Sequence, residues 1–202
     1  MAKRKVRVYV SCACYDFPKD RQSGSTVTET GTDPANGDEI DVEVTWQSSN
    51  DAGAGDKFKK AVKDNYDVII VSSHANWGKA FDIESGCKEH SEDFPIDDGF
   101  EGLATGDGDK KRIEGAPKAF VVLSCNSAVV YGLFWPFRRD PVTERIKKYM
   151  RDTNVVGSHN PMPFCGQADV KGIIETLRRG TKPGDLNWKD HVKPHESEPE
   201  KD

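Results

Sequence analysis

The sequence has no apolar run approaching the length needed to cross a bilayer. Its basic start, Met1 to Lys5, precedes an apolar stretch too short for a secretory leader. Basic residues are not in surplus: 29 Lys and Arg stand against 34 Asp and Glu, a net charge of −5. That balance argues against broad, backbone-driven nucleic-acid binding. No G-x-G-x-x-G follows a first strand and there is no Walker A motif, so nucleotide binding lacks its usual anchor. The glycines between Gly99 and Gly108 lie among acids that would repel phosphate. No internal repeat is visible. Five cysteines, an odd number, exclude a fully paired disulfide set. These absences describe a chain for a reducing, cytoplasmic compartment, with neither membrane nor nucleic acid as partner. The length of 202 residues suits one substantial domain. Residues 1–190 read as that domain, and the charged, proline-containing stretch 191–202 as a disordered tail.

What is present is a strand–helix alternation. Asp67 to Ser73 (DVIIVSS) and Ala119 to Ser124 (AFVVLS) are short apolar runs rich in β-branched residues, the pattern of strands buried on both faces. Val6 to Ser11 is a third strand and Val155–Val156 a short fourth. Asp41 to Trp46 alternates polar and apolar residues, which predicts a strand with one exposed face at a sheet edge. Helices are expected over Asp56 to Asn65, capped by Asp56, over Thr143 to Asp152, and over Asp169 to Arg179 before Gly180. The result is an α/β fold with a mostly parallel sheet and helices on both faces. Pro18 to Asp38 takes the place of a first crossover helix or an inserted hairpin. Asp82 to Gly115, with six glycines and many acids, reads as a long irregular connection.

In such a sheet, ligands and chemistry collect beyond the C-terminal strand ends. His74 follows DVIIVSS, Cys125 follows AFVVLS, Cys12 and Cys14 follow VRVYVS, and His159 follows NVVGS. A thiol near an imidazole can become a thiolate nucleophile, and the same imidazole can protonate a leaving amine. Small or polar residues follow each, Ala75 and Gly78 after the histidine and Asn126 and Ser127 after the cysteine, and backbone N–H groups in such turns, Ala75 and Asn126 first, can bind an oxyanion. Spacing alone favours a buried strand-end thiol and a hydrogen-bonded turn histidine over this chemistry.

The segments VIIVSSHANWG and FVVLSCNSA resemble the histidine and cysteine motifs of the caspase-like (clan CD) cysteine peptidases, which include caspases, legumains, gingipains and CHAT-domain proteases. The separation of His74 and Cys125, 51 residues, is similar to that of the family. A Cys followed by a polar residue and a Ser is closest to the CHAT form, and the order NVVGSHNPMPF, helix, LRRGTKPGD resembles CHAT and gingipain-type domains. The likeness in element order covers roughly residues 40–186. It implies a flavodoxin-like, caspase-like sheet and a peptidase needing no cofactor and no metal, with His74 as general acid–base and Cys125 as nucleophile. Protein or peptide substrates are implied, with a regulatory protein partner and autoinhibition by the Asp82 to Gly115 loop. Two departures stand out: Ala75 replaces the family's glycine after the histidine, and Ser124 a small residue before the cysteine.

For the substrate pocket, the acids Asp82, Glu84, Asp97 and Asp98 after His74 suit a basic side chain, whereas Arg138 and Arg139 suit an acidic one. Trp77, Phe134, Trp135 and Phe137 are aromatic candidates for a cleft. Two other readings stand beside the peptidase. Cys12, Cys14, His74, Cys125 and His159, or the Cys87/His90 pair with Cys12 or Cys165, offer ligands of the type zinc accepts, and Cys12-Ala13-Cys14 a redox pair. The third reading is a non-catalytic binding or signalling module on the same fold.

Overall fold

The computed structural model describes residues 2–12, 17–73, 80–81, 83, 94–124, 140–157 and 167–187. The chain runs β1 (Lys3–Cys12), β2 (Thr26–Thr32), β3 (Glu39–Ser48), α1 (Ala54–Lys63), β4 (Val68–Ser72), β5 (Ala80–Phe81), β6 (Phe94–Pro95), α2 (Ile96–Leu103), β7 (Ala119–Leu123), α3 (Val142–Lys147), β8 (Asn154–Gly157) and α4 (Gln167–Arg178). Six strands form the main sheet in the order β2-β3-β1-β4-β7-β8. Every neighbouring pair is parallel except β2 with β3. The five parallel strands, numbered along the chain, therefore stand in the doubly wound order 2-1-3-4-5. The order reverses between β1 and β4: the chain leaves β1 toward β3 on one side and leaves β4 toward β7 on the other.

Alternation along the strands builds two cores. Val8 and Val10, Val68 and Ile70, and Val121 and Leu123 face the core closed by Val170, Ile173, Ile174 and Leu177 of α4. Tyr9, Ile69, Val71, Phe120 and Val122 face the other, closed by α1, α2 and α3. Helices thus cover both faces of a mostly parallel sheet, as the continuous apolar runs require.

Three expectations are corrected. Asp41 to Trp46 lies inside β3, which is second in the sheet; the edge strand is β2, from the inserted hairpin. The exposed side of β3 is an uncovered face, where Asp41 and Glu43 pair with Lys3 and Lys5 of β1 at 2.9 and 2.7 Å. The cap of α1 is Gly53, in the left-handed region, and Asp56 lies in the first turn without capping. Asp82 to Gly115 is not irregular throughout. It contains α2, whose Ile96 and Phe100 are fully buried. Phe100 packs edge-on against Phe58, Phe81, Phe94 and Phe120, with ring centroids 5.1 to 6.5 Å apart. Gly99 marks close packing here, not a loop: a Cβ at that position would lie 2.5 Å from the Phe94 ring. Residues 94–103 of this stretch therefore belong to the folded core.

Candidate functional site

Buried polar side chains gather where the parallel strands end. Ser11 is next to last in β1, Gln47 and Ser48 end β3 with Ser49 after it, Ser72 ends β4 with Ser73 after it, and Ser124 follows β7; all are buried. The opposite sheet end is different. There, exposed lysines make ion pairs, Lys3 with Glu39 at 2.9 Å and Lys118 with Asp67 at 2.7 Å. Short hydroxyl side chains let a strand finish beneath covering chain without leaving a charge in a dry place. Their clustering gives the C-terminal edge a polar lining.

The β1–β3 part of this edge is closed by the chain itself. Gln47 Nε2 donates to Ser23 Oγ (3.2 Å), the Ser48 carbonyl (3.1 Å) and Asp51 Oδ2 (2.8 Å). Ser23 Oγ also accepts from the Ser48 amide at 2.8 Å, and Gly24 N–H donates to the Trp46 carbonyl at 2.7 Å. The ladder continues one step past the strands, with Ser49 N–H on the Cys12 carbonyl at 3.0 Å. Further along the edge, β4 and β7 are hydrogen-bonded neighbours in parallel register, with Ser72 opposite Leu123. The buried hydroxyl of Ser124 has no hydrogen-bond partner among the described residues.

His74, Ala75, Trp77, Asp82, Glu84, Cys125, Asn126 and Trp135 lie outside the described residues, as do Cys14, Cys87, His90, Phe134, Phe137, Arg138, Arg139, His159 and Cys165. The described chain stops at Ser73, directly before His74 in sequence, and at Ser124, directly before Cys125. Cys12 is described. It is buried in the core closed by α4 and stands opposite Ser72 in the β1–β4 register. Among the described residues no three His, Cys, Asp or Glu side chains converge on a metal position.

Asp97 is corrected as an open pocket acid. It sits in the first turn of α2 and receives Arg145 of α3 through both oxygens, Nε to Oδ1 at 2.8 Å and Nη2 to Oδ2 at 2.7 Å. Asp98, beside it, is exposed. An open depression of about 540 Å³ lies under the Thr105–Arg112 bridge, lined by Asp109, Lys110, Arg112, Glu114 and Arg151. It precedes β7 and β8 and so belongs to the opposite sheet end.

The phenol of Tyr9 is held well above its ordinary pKa, chiefly by burial, with Tyr66 and Asp51 adding repulsion. Its ring meets Tyr66 edge-on at 5.5 Å, and the Arg7 guanidinium lies 4.4 Å over Tyr66.

Sequence reasoning left Gln47, Ser72, Ser73 and Arg145 unassigned. The serines had a signal, a polar residue ending an uninterrupted apolar run. Arg145 had none, because in sequence it is one more basic residue on a short helix.

No described helix is long and apolar enough to cross a membrane. Compared with protein-family models, curated proteins and solved structures, the chain has no match.

Proposed function

We propose that this protein is a caspase-like cysteine endopeptidase, with Cys125 as nucleophile and His74 as general acid–base. One observation carries the reading. The two strands that lead into the histidine and cysteine motifs are adjacent and parallel, and end level at Ser72 and Leu123. His74 and Cys125 each follow by two residues in sequence. The doubly wound order, with helices on both faces, also agrees with a caspase-like sheet.

In this chemistry the Cys125 thiolate attacks the carbonyl carbon of the scissile peptide. The tetrahedral oxyanion is held by backbone N–H groups, for which Ala75 and Asn126 are the candidates. The carbon–nitrogen bond breaks as His74 delivers its proton to the departing amine, leaving a thioester. Water, deprotonated by the same imidazole, hydrolyses the thioester and restores the thiol. No metal or cofactor enters the sequence. The substrate is a protein or peptide, and a regulatory protein is the expected partner. Nucleophilic thiol chemistry of this kind suits the reducing cytoplasm. Since Asp97 is engaged by Arg145, Asp82, Glu84 and Asp98 are the remaining candidates to receive a basic side chain, with Trp77 and Trp135 as the aromatic candidates.

The test is covalent labelling. A mild thiol electrophile should modify Cys125 faster than an ordinary thiol, and the advantage should vanish in His74→Ala. Equal labelling of both proteins would end the dyad reading. Stoichiometric zinc in protein purified without added metal would favour a metal site instead.

A further inference from the structure

We propose that the Asp97–Arg145 pair is a clasp that positions the two site-bearing parts of the chain relative to each other; the inference rests on the peptidase reading above. Arg145 is the charged residue found among the buried side chains of the described chain, with its side chain only 4% exposed, whereas that of Asp97 is 50% exposed. The two make a fork-to-fork contact through two separate nitrogens and two oxygens. Such a pair has one favourable geometry, because the guanidinium is planar and its donors are fixed in direction.

Both elements it joins are short. α2 has 8 residues and α3 only 6. Helices so short are marginal in isolation and take their order from packing. The apolar contacts under them, Phe100 on one and Ile146 on the other, favour burial without demanding one register of α2 against α3. The bidentate pair supplies that demand. A buried ion pair is weak evidence of stability, and fixing a register is among its best-attested uses.

The location gives the register a purpose. α2 is the first described helix after the chain leaves β4 toward His74, and α3 the first described helix after it leaves β7 toward Cys125. Both connections start from level, adjacent strand ends. Tying α2 to α3 therefore fixes the far ends of both connections against each other, while the sheet fixes the near ends. Arg145 and Asp97 act in this reading as positioning residues.

The test compares alkylation of Cys125 in the full chain with folding stability. Arg145→Lys keeps the charge and loses the fork. Arg145→Met combined with Asp97→Ala removes both charges, a change that leaves stability near the parent or above it. With folding verified by near-ultraviolet circular dichroism and urea unfolding, both proteins should lose roughly tenfold or more of the His74-dependent alkylation rate. Asp97→Glu, which retains a carboxylate, should recover part of the Arg145–carboxylate function and lose less. Parent-like rates in the folded Met/Ala protein would overturn the clasp and leave the dyad intact. A parent whose Cys125 reacts no faster than in His74→Ala would overturn the dyad, and the clasp with it.

Discussion

Ser72 and Leu123 are register partners on adjacent parallel strands, so the chain leaves β4 and β7 at the same level. Neighbouring strands run about 4.8 Å apart. Two side chains placed equally far beyond such a pair can share a proton if both turn toward the same space. On the dyad reading, thiolate and imidazolium stabilise each other, and the imidazole pKa rises above its ordinary value of about 6.5. In Cys125→Ala the partner charge is gone. The His74 ring-proton titration, followed by NMR, should therefore move down toward that ordinary value. An identical titration in parent and variant would show that the two side chains do not interact.

Phe100→Ala tests whether the stretch between His74 and β7 belongs to the folding unit. Phe100 is fully buried at the centre of four aromatic neighbours. Truncation removes its transfer free energy and leaves a cavity, a loss of about 3–5 kcal/mol. The urea midpoint should fall accordingly, and deletion of residues 82–115 should abolish cooperative unfolding. A deletion protein with parent-like stability would restore the idea of a detachable regulatory loop.

The contrast between α2 and the neighbouring strands shows what the sequence could reveal. β4 and β7 announce themselves because a strand buried on both faces needs an unbroken apolar run, and VIIVS and AFVVL have no other good use. β3 announced its alternation, but not its place: a bare face and a sheet edge produce the same polar–apolar pattern. α2 was hidden because Gly99 and Gly102 count as loop residues in sequence, although the first is there to admit the Phe94 ring. For the site, the position of serines at strand ends follows from the apolar runs, while the choice of Arg145 to receive Asp97 depends on how α3 approaches α2. No local pattern encodes that approach.

Arg178→Ala should expose a sheet edge. Arg178, at the end of α4, donates Nε and Nη2 to the Thr30 carbonyl of edge strand β2 at 3.0 and 2.7 Å. The helix end lies so close that a Cβ on Gly31 would stand 2.2 Å from the Arg178 carbonyl oxygen. An edge carbonyl released from such a donor can accept a strand from another molecule. Sedimentation should show concentration-dependent association of the variant that the parent lacks. A variant that stays as monodisperse as the parent would show that the guanidinium does not guard the edge.

Ser124→Ala should stabilise the protein. The Ser124 hydroxyl is buried and has no hydrogen-bond partner among the described residues. A buried hydroxyl left unsatisfied costs about 1–3 kcal/mol, and alanine removes that cost with little change in volume. The urea midpoint should rise. A fall of about 1 kcal/mol would reveal a partner for the hydroxyl.

Tyr9 gives the fold a weakness toward base. Its hydroxyl is buried without a partner among the described residues, and burial holds its pKa well above the ordinary tyrosine value of about 10. Below that pH the phenol is protonated in both folded and unfolded chains and adds no slope. Above it the unfolded chain loses the proton while the folded chain keeps it, so stability falls as pH rises, by at most about 1.4 kcal/mol per unit. Tyr9→Phe removes this contribution without removing a hydrogen bond. Tyr149, whose pKa is also raised, mainly by burial, keeps some slope in the variant. Urea unfolding between about pH 9 and 11.5 should show a shallower decline for Tyr9→Phe, with stability at pH 7 equal to the parent's or higher. Parallel declines in the two proteins would mean that the Tyr9 phenol ionises as readily folded as unfolded.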